Sequence, residues 1–316
     1  MHPFHREKAL PRRSLKKLIS LLIIATGFIL TIPIMFIRFR PSQAIISPLP
    51  DEKTSKQTTT RQLFQKKKDP SDLRKKIQET VNNRWKNYSV YVKDFSTDFI
   101  MDINEMVIFT AASVNKVPII AALYYYAGKG EIDLDERVTV QPDEIQDFGT
   151  GSLRYESPGS VYSLKTLAKL MIGQSDNTAA YILANHVIGV DKIQTLINSW
   201  GLTQTDIVNN KTSNKDMELL FEKIYTGQLT SPSSTQEMLA FFKHTDFEDR
   251  IPALLPEETS VYHKIGNEIG VLHDVGIVEQ SPLVYFIGIL SSDITDDKES
   301  AQIAAEISKA VYEYLK

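Results

Sequence analysis

Leu73, Ile77, Val81 and Trp85 recur at four-residue spacing behind Asp69-Pro70, a pattern that predicts a capped helix with one apolar face. Alternation then takes over. The runs YSVYVKDF and FIMDI, separated by Ser96-Thr97-Asp98, are expected to pair as a hairpin. From Val114 to Ala127 (VNKVPIIAALYYYA) apolar residues occupy nearly every face, which predicts a helix buried on all sides. Pro118 fits its first turn, where backbone N–H groups lack helical partners. Tyr124, Tyr125 and Tyr126 within it are expected to serve packing. Further helices are signalled by Ser163 before LKTLAKLMIG, between Asp191 and Gly201, by Ser213 and Asp216 ahead of Gly227, and by Ser231-Pro232 before TQEMLAFF. SVYHKIG, GVLHDVGIV and PLVYFIGILSS have strand character, and Ile303, Ile307, Val311 and Leu315 mark the stripe of a final helix from about Asp297.

Strands towards both ends with helices between predict an α/β (α+β) fold. In it an antiparallel sheet shared by the chain's two ends is flanked by helices, and an all-helical lobe is inserted over about residues 128–245. A binding site is expected where lobe and sheet meet. The domain would span residues 70–316.

Upstream, Leu18–Ile37 contains no charge over 20 residues, about the length that crosses a bilayer core. Arg6, Lys8, Arg12, Arg13, Lys16 and Lys17 precede it, which predicts a basic cytoplasmic tail over 1–17, a transmembrane helix over 18–37 and the remainder outside the cell membrane. A cleaved signal peptide ending near Ser42-Gln43-Ala44 is the alternative. Residues 38–69, with Pro41, Pro48, Pro50 and a Lys/Thr/Gln-rich stretch, have the composition of a flexible linker. Residues 1–76 carry 17 Lys and Arg against 5 Asp and Glu, while the rest carry 19 against 34. An acidic body argues against a nucleic-acid partner. With no cysteine and no metal-ligand spacing among His186, His244, His263 and His273, neither a disulfide, a metal nor a cofactor is expected, and these histidines are assigned to surface or packing.

Ser113-Val114-Asn115-Lys116 puts a hydroxyl and an amine on one face at the head of the buried helix, so a neutral lysine could take the serine's proton. Such a pattern arises by chance about once in a chain of this size, and Ser14 to Lys17 is a second instance. Two further elements follow in order: Ser175-Asp176-Asn177, in QSDNTAAY, and Lys264-Ile265-Gly266, in HKIGNE. The three together resemble the penicillin-recognising serine enzymes, specifically the class A β-lactamase-like branch, from about Trp85 to the C-terminus.

That resemblance implies a covalent acyl-enzyme on Ser113 with a β-lactam or a peptidoglycan peptide. Lys116 would be the base, its pKa lowered by burial and a second cation. Ser175 would relay a proton to the leaving nitrogen, Asp176 brace the loop, and the Asn177 amide pair with the substrate's own amide. Lys264 would position an anionic substrate group. Gly266 would let substrate approach the backbone, and the N–H groups of Asn267 and Ser113 would form the oxyanion hole. Tyr155, in the turn-rich GTGSLRYE, is expected to line the cleft.

Two departures stand out. The family's third motif normally has Thr or Ser where Ile265 stands, which puts carboxylate recognition in question. The family's deacylating glutamate has no counterpart in WGLTQTDIVNNKTSNKDM, where Asp206 is the only acid before the next helix cap. Slow release of the acyl group would follow, suiting a D-Ala-D-Ala carboxypeptidase or transpeptidase of the penicillin-binding type better than an efficient β-lactamase. A non-catalytic module that binds cell wall or senses β-lactams is the other alternative.

Overall fold

The computed structural model of the chain describes residues 68–316. The expected span Leu18–Ile37, the basic tail before it and the linker as far as residue 67 lie outside the described residues. Among the described residues no helix is long and apolar enough to cross a membrane.

Helix α1 (Pro70–Val81) starts as its sequence requires, with the Asp69 carboxylate accepting the Ser71 N–H at 2.9 Å. Leu73, Ile77 and Val81 are buried, but Trp85 is not on this helix: Asn82, at φ 42°, ends it in the left-handed region. Trp85 enters the core from the following turn, its Nε1–H donating 3.1 Å to Ser300 Oγ. Strands β1 (Asn87–Asp94) and β2 (Ile100–Ile103) form the expected hairpin with Val90 paired to Ile103. Asp94 closes its turn by accepting from Ser96 N–H at 2.8 Å and Thr97 Oγ1 at 2.7 Å.

The chain then makes β3 (Phe109–Thr110), α2 (Lys116–Gly128), β4 (Arg137–Thr139), β5 (Val161–Ser163), α3 (Leu164–Gly173), α4 (Asn177–Tyr181), α5 (Val190–Ser199), β6 (Lys211–Thr212), α6 (Asn214–Tyr225) and α7 (Pro232–Ala240). It returns through β7 (Ser260–Glu268), β8 (Val271–Gln280), β9 (Leu283–Ser292) and α8 (Asp297–Leu315). The main sheet runs β2-β1-β9-β8-β7, antiparallel throughout, so strands from both ends of the domain share it as expected.

Alternation along the central strands feeds two cores. On one face Val90, Val92, Ile287 and Ile289 pack with Leu73 and Ile77 of α1 and with Ile303, Ile307 and Val311 of α8. On the other, Tyr91, Val275, Ile277 and Phe286 join the helical cluster. Each such side chain contributes on the order of 1.5–3 kcal/mol of burial. The all-apolar helix is the axis of that second core: Val117, Ile120, Leu123 and Tyr124 of α2 meet Leu167, Met171, Leu183 and Phe221. It has no polar face because neighbours surround it on all sides.

Candidate active site

Ser113 lies in a tight 3₁₀ turn, Ala112–Asn115, between β3 and α2. The residue before it, Ala112, sits at φ 48°, a left-handed conformation that costs a non-glycine residue on the order of 1–3 kcal/mol. The surroundings hold it there. Ala111 N–H donates 2.8 Å to Asn210 O, Val114 N–H donates 3.1 Å to Ala111 O, and β7 presses against the turn. A Cβ at Gly266 would stand 3.0 Å from Ala111 O and 3.1 Å from Val114 Cγ2. Glycine lets strand and nucleophile turn pack this closely, and Gly266 is not part of the cleft lining, where it was expected to let substrate approach the backbone.

Lys116 opens α2 and is buried. Its Nζ has four neighbours: Ser175 O at 2.6 Å, Asn177 Oδ1 at 2.7 Å, Ser113 Oγ at 2.9 Å and Ser175 Oγ at 3.1 Å. The first two can only accept hydrogen bonds. A neutral amine thus places both its protons on them and keeps its lone pair for a hydroxyl, with Ser113 the nearer. Burial draws Lys116 down to about 7, against the opposing charge of Asp176.

Ser175 and Asn177 reach Lys116 from the opposite wall. Ser175 is buried at φ 55°, and its Oγ accepts from Lys264 Nζ at 2.9 Å. Lys264 is entirely enclosed, its other proton on Ile265 O at 3.0 Å. Burial, then the facing Lys116 charge, holds Lys264 well below the usual lysine range. Lys264 is thus the second cation expected beside Lys116, the two facing each other across Ser175 Oγ, while the Asp176 charge favours the proton on Lys116. Asn177 differs from expectation too: its Oδ1 is taken by Lys116 and its Nδ2 donates 3.1 Å to Phe148 O, leaving one N–H for substrate instead of a paired amide contact. Asp176 braces this wall, accepting Ala179 N–H at 2.9 Å as the cap of α4 and Leu153 N–H at 2.9 Å.

These groups converge on a cleft of about 1330 Å³ lined by Ser113, Lys116, Ser175 and Asn177, with Ile265 and Asn267 from β7. Tyr155 does not reach it. The turn Leu153–Tyr155 buries Leu153 and leaves Tyr155 82% exposed under the Arg154 guanidinium, while Phe148, Gly149 and Thr150 supply that wall.

Several residues were not singled out from sequence. Thr150 Oγ1 donates 3.1 Å to Ser175 O and helps fix the strained serine; the glycines beside it, Gly149 and Gly151, both at positive φ, were the available signal. Asn115 Nδ2 donates 3.2 Å to Ile207 O and ties the nucleophile helix to the loop before β6. That loop is further held by Gln194, which accepts Ile207 N–H at 2.8 Å, and by buried Asp216, which accepts from Gln204 N–H and Thr205 Oγ1 at 2.8 Å each. It offers Ile207 and Val208 to the cleft, whereas Asp206 is occupied by both donors of Asn209 at 2.8 Å. Beside Lys264, His263 is fully buried, with Nδ1 2.8 Å from Asp274 Oδ1 and Nε2 3.3 Å from Glu248 Oε1. This histidine is an ion-pair member rather than plain packing. Burial pulls it down, but the charge and hydrogen bond of Asp274, with Glu248, outweigh that and raise it to about 9.

Residues 72–315 match the family described as the beta-lactamase enzyme family. The β-lactamase VEB-1 of Pseudomonas aeruginosa is 21% identical over 269 residues, covering 77% of this chain and 90% of that protein. A β-lactamase of Bacteroides uniformis is 25% identical over 278 residues, covering 78% and 92%. Among solved structures, that of PBP-A superposes with a TM-score of 0.71 at 28% identity over 77% of this chain and 95% of the other.

Proposed function

The chain belongs to the beta-lactamase enzyme family, and on that premise we propose that this β-lactamase-like serine hydrolase forms a persistent acyl-enzyme at Ser113 with a β-lactam or a cell-wall peptide amide. The bond pattern around Lys116 Nζ carries the reading: two acceptor-only partners and a lone pair left facing Ser113 Oγ at 2.9 Å. Ser113 Oγ attacks the carbonyl carbon and gives its proton to Lys116. The Oγ–C bond forms while the carbonyl oxygen is held by the N–H groups of Ser113 and Asn267. The C–N bond then breaks, and the nitrogen receives a proton through Ser175 Oγ, which lies 3.1 Å from Lys116 and 2.9 Å from Lys264. Balance is complete: one C–N bond is exchanged for one C–O bond, and a proton moves from oxygen to nitrogen.

Persistence of the ester is supported by the loop before β6, where apolar Ile207 and Val208 border the cleft and Asp206 is tied to Asn209. Such an enzyme acts as a penicillin-binding peptidase or transpeptidase more readily than as a fast β-lactamase. Placement outside a membrane, on the Leu18–Ile37 anchor and its linker, belongs to the same reading and rests on the apolar span and its basic flank. The test is intact-mass spectrometry after exposure to a labelled penicillin. Wild type should gain one stable adduct on Ser113 and Ser113→Ala none; equal labelling of both, or no adduct on either, overturns the assignment.

A further inference from the structure

The geometry points to His273 as a positioning residue for acylation: as a neutral, fully buried imidazole it fixes the backbone N–H of Ser113 relative to that of Asn267, the two groups that would hold the carbonyl oxygen. The inference rests on Ser113 being the nucleophile and adds a residue that does not itself line the cleft.

Strand β3 carries the chain into the Ser113 turn. Ala111 N–H donates to Asn210 O, so by the alternation of an antiparallel ladder the Thr110 carbonyl turns away from β6. There it is met from the main sheet: His273 Nε2, on β8, stands 2.7 Å from Thr110 O, a backbone group three residues before Ser113. The other ring nitrogen decides the tautomer. Ser291 N–H donates 3.2 Å to His273 Nδ1, which therefore presents a lone pair, so the ring proton sits on Nε2 and is given to Thr110 O. Phe109 packs edge-on against the ring, and Lys211 Nζ donates 3.0 Å to Thr110 Oγ1, so β3 is gripped on either side of the bond.

His273 also belongs to the opposite side of the site. Its backbone pairs with Gly266 of β7, and Asn267 is the next residue along that strand. One residue thus holds, by its ring, the segment that leads to Ser113 and, by its backbone, the strand that leads to Asn267. It is one of the constraints that keep Ala112 at φ 48°. Burial draws the imidazole down to about 4, so donor and acceptor keep their places at neutral pH. A second ring proton, on Nδ1, would confront the Ser291 N–H. The charged neighbours act in the same sense: the Arg250 guanidinium donates 2.8 Å to the His273 carbonyl and disfavours a cation, while Asp274, next on the strand, is turned to His263.

Two variants divide the functions of the ring. Glutamine can place an amide N–H roughly where Nε2 stands, whereas asparagine keeps only an acceptor roughly where Nδ1 stands. His273→Asn should lower the limiting rate of Ser113 adduct formation by benzylpenicillin at least about tenfold, because a displaced oxyanion donor acts on the transition state. The concentration giving half that rate should change less than about threefold. His273→Gln should keep the limiting rate within about threefold of wild type, although each variant loses one hydrogen bond and their urea midpoints fall alike. Equal loss of rate in both variants overturns the inference, as does a wild-type rate in His273→Asn. Should neither variant fold, NMR of the wild type labelled with ¹⁵N-histidine decides: a neutral ring protonated on Nε2 at about pH 7 supports it, and a proton on Nδ1 or an imidazolium overturns it. Absence of a Ser113 adduct on the wild type with both the penicillin and a fluorophosphonate removes the serine assignment and this inference with it; that failure is distinct, since it shows in the wild type and leaves the ring signature unchanged.

Discussion

Lys116 and Lys264 reach for the same oxygen, Ser175 Oγ, at 3.1 and 2.9 Å from opposite sides. Two ammonium groups so close and so buried repel strongly, and the pair lowers that cost by giving up a proton. Burial and the facing Lys116 charge hold Lys264 well below the usual lysine range, and burial draws Lys116 down to about 7.

Acylation should therefore rise with pH. The rate constant for adduct formation is expected to climb through a midpoint near pH 7, where Lys116 loses its proton, and to level above it. Stopped-time mass spectrometry between pH 5 and pH 9, roughly two units either side of that midpoint, measures it. A flat profile would remove Lys116 as the base.

Stability should run the other way across a different window. The folded His263 pKa, about 9, lies above its ordinary value, so the Asp274 pair stabilises fully below about pH 6.5 and is lost as pH rises through about 9. The contribution is on the order of 3 kcal/mol at its largest. Chemical denaturation of the wild type should show declining stability over this range. His263→Gln should lower stability most at low pH and flatten the slope, and a parallel decline in both proteins would refute the pairing.

Gly266→Ala puts a methyl group 3.0 Å from Ala111 O, tighter than ordinary contact. Either β7 or the turn carrying Ser113 must shift by a few tenths of an ångström. We expect acylation to fall at least tenfold with a smaller loss of stability, on the order of 1–3 kcal/mol. Comparing adduct-formation rates with urea midpoints separates the two effects; unchanged acylation would mean that the strand does not set the position of Ser113.

Asp206→Asn should leave the lifetime of the Ser113 adduct unchanged within about twofold, because that carboxylate serves the Asn209 turn and does not border the cleft. Time-resolved loss of the adduct by mass spectrometry is the measurement. A marked slowing would identify Asp206 as the base that releases the acyl group.

Much of this protein was legible along the chain. The strand character of YSVYVKDF and PLVYFIGILSS foretold a sheet shared by the chain's two ends, the unbroken apolar run after Ser113 foretold the enclosed α2, and Asp69, Ser163, Ser213 and Ser231 cap the helices they preceded. Ser113, Lys116 and Ser175 were nameable because three short motifs stand in order along the chain, the first at the head of a buried helix, and together resemble those of the penicillin-recognising serine enzymes. These features depend on neighbours in sequence, and periodicity or spacing records them directly.

Other features depend on which faces meet across the fold, and no local pattern records that. Gly266 serves contact with Ala111 rather than substrate, Asn177 spends its carbonyl on Lys116, and Tyr155 turns outward because Leu153 turns in. His263 finds Asp274 across β7 and β8, and Gln194 and Asp216 hold a loop that carries no residue of the three motifs. The sequence by itself determined the reactive groups, their order and the elements that bear them. Tertiary packing alone decided which partners each polar group meets and which charges border the cleft, because burial and distance between remote segments set both.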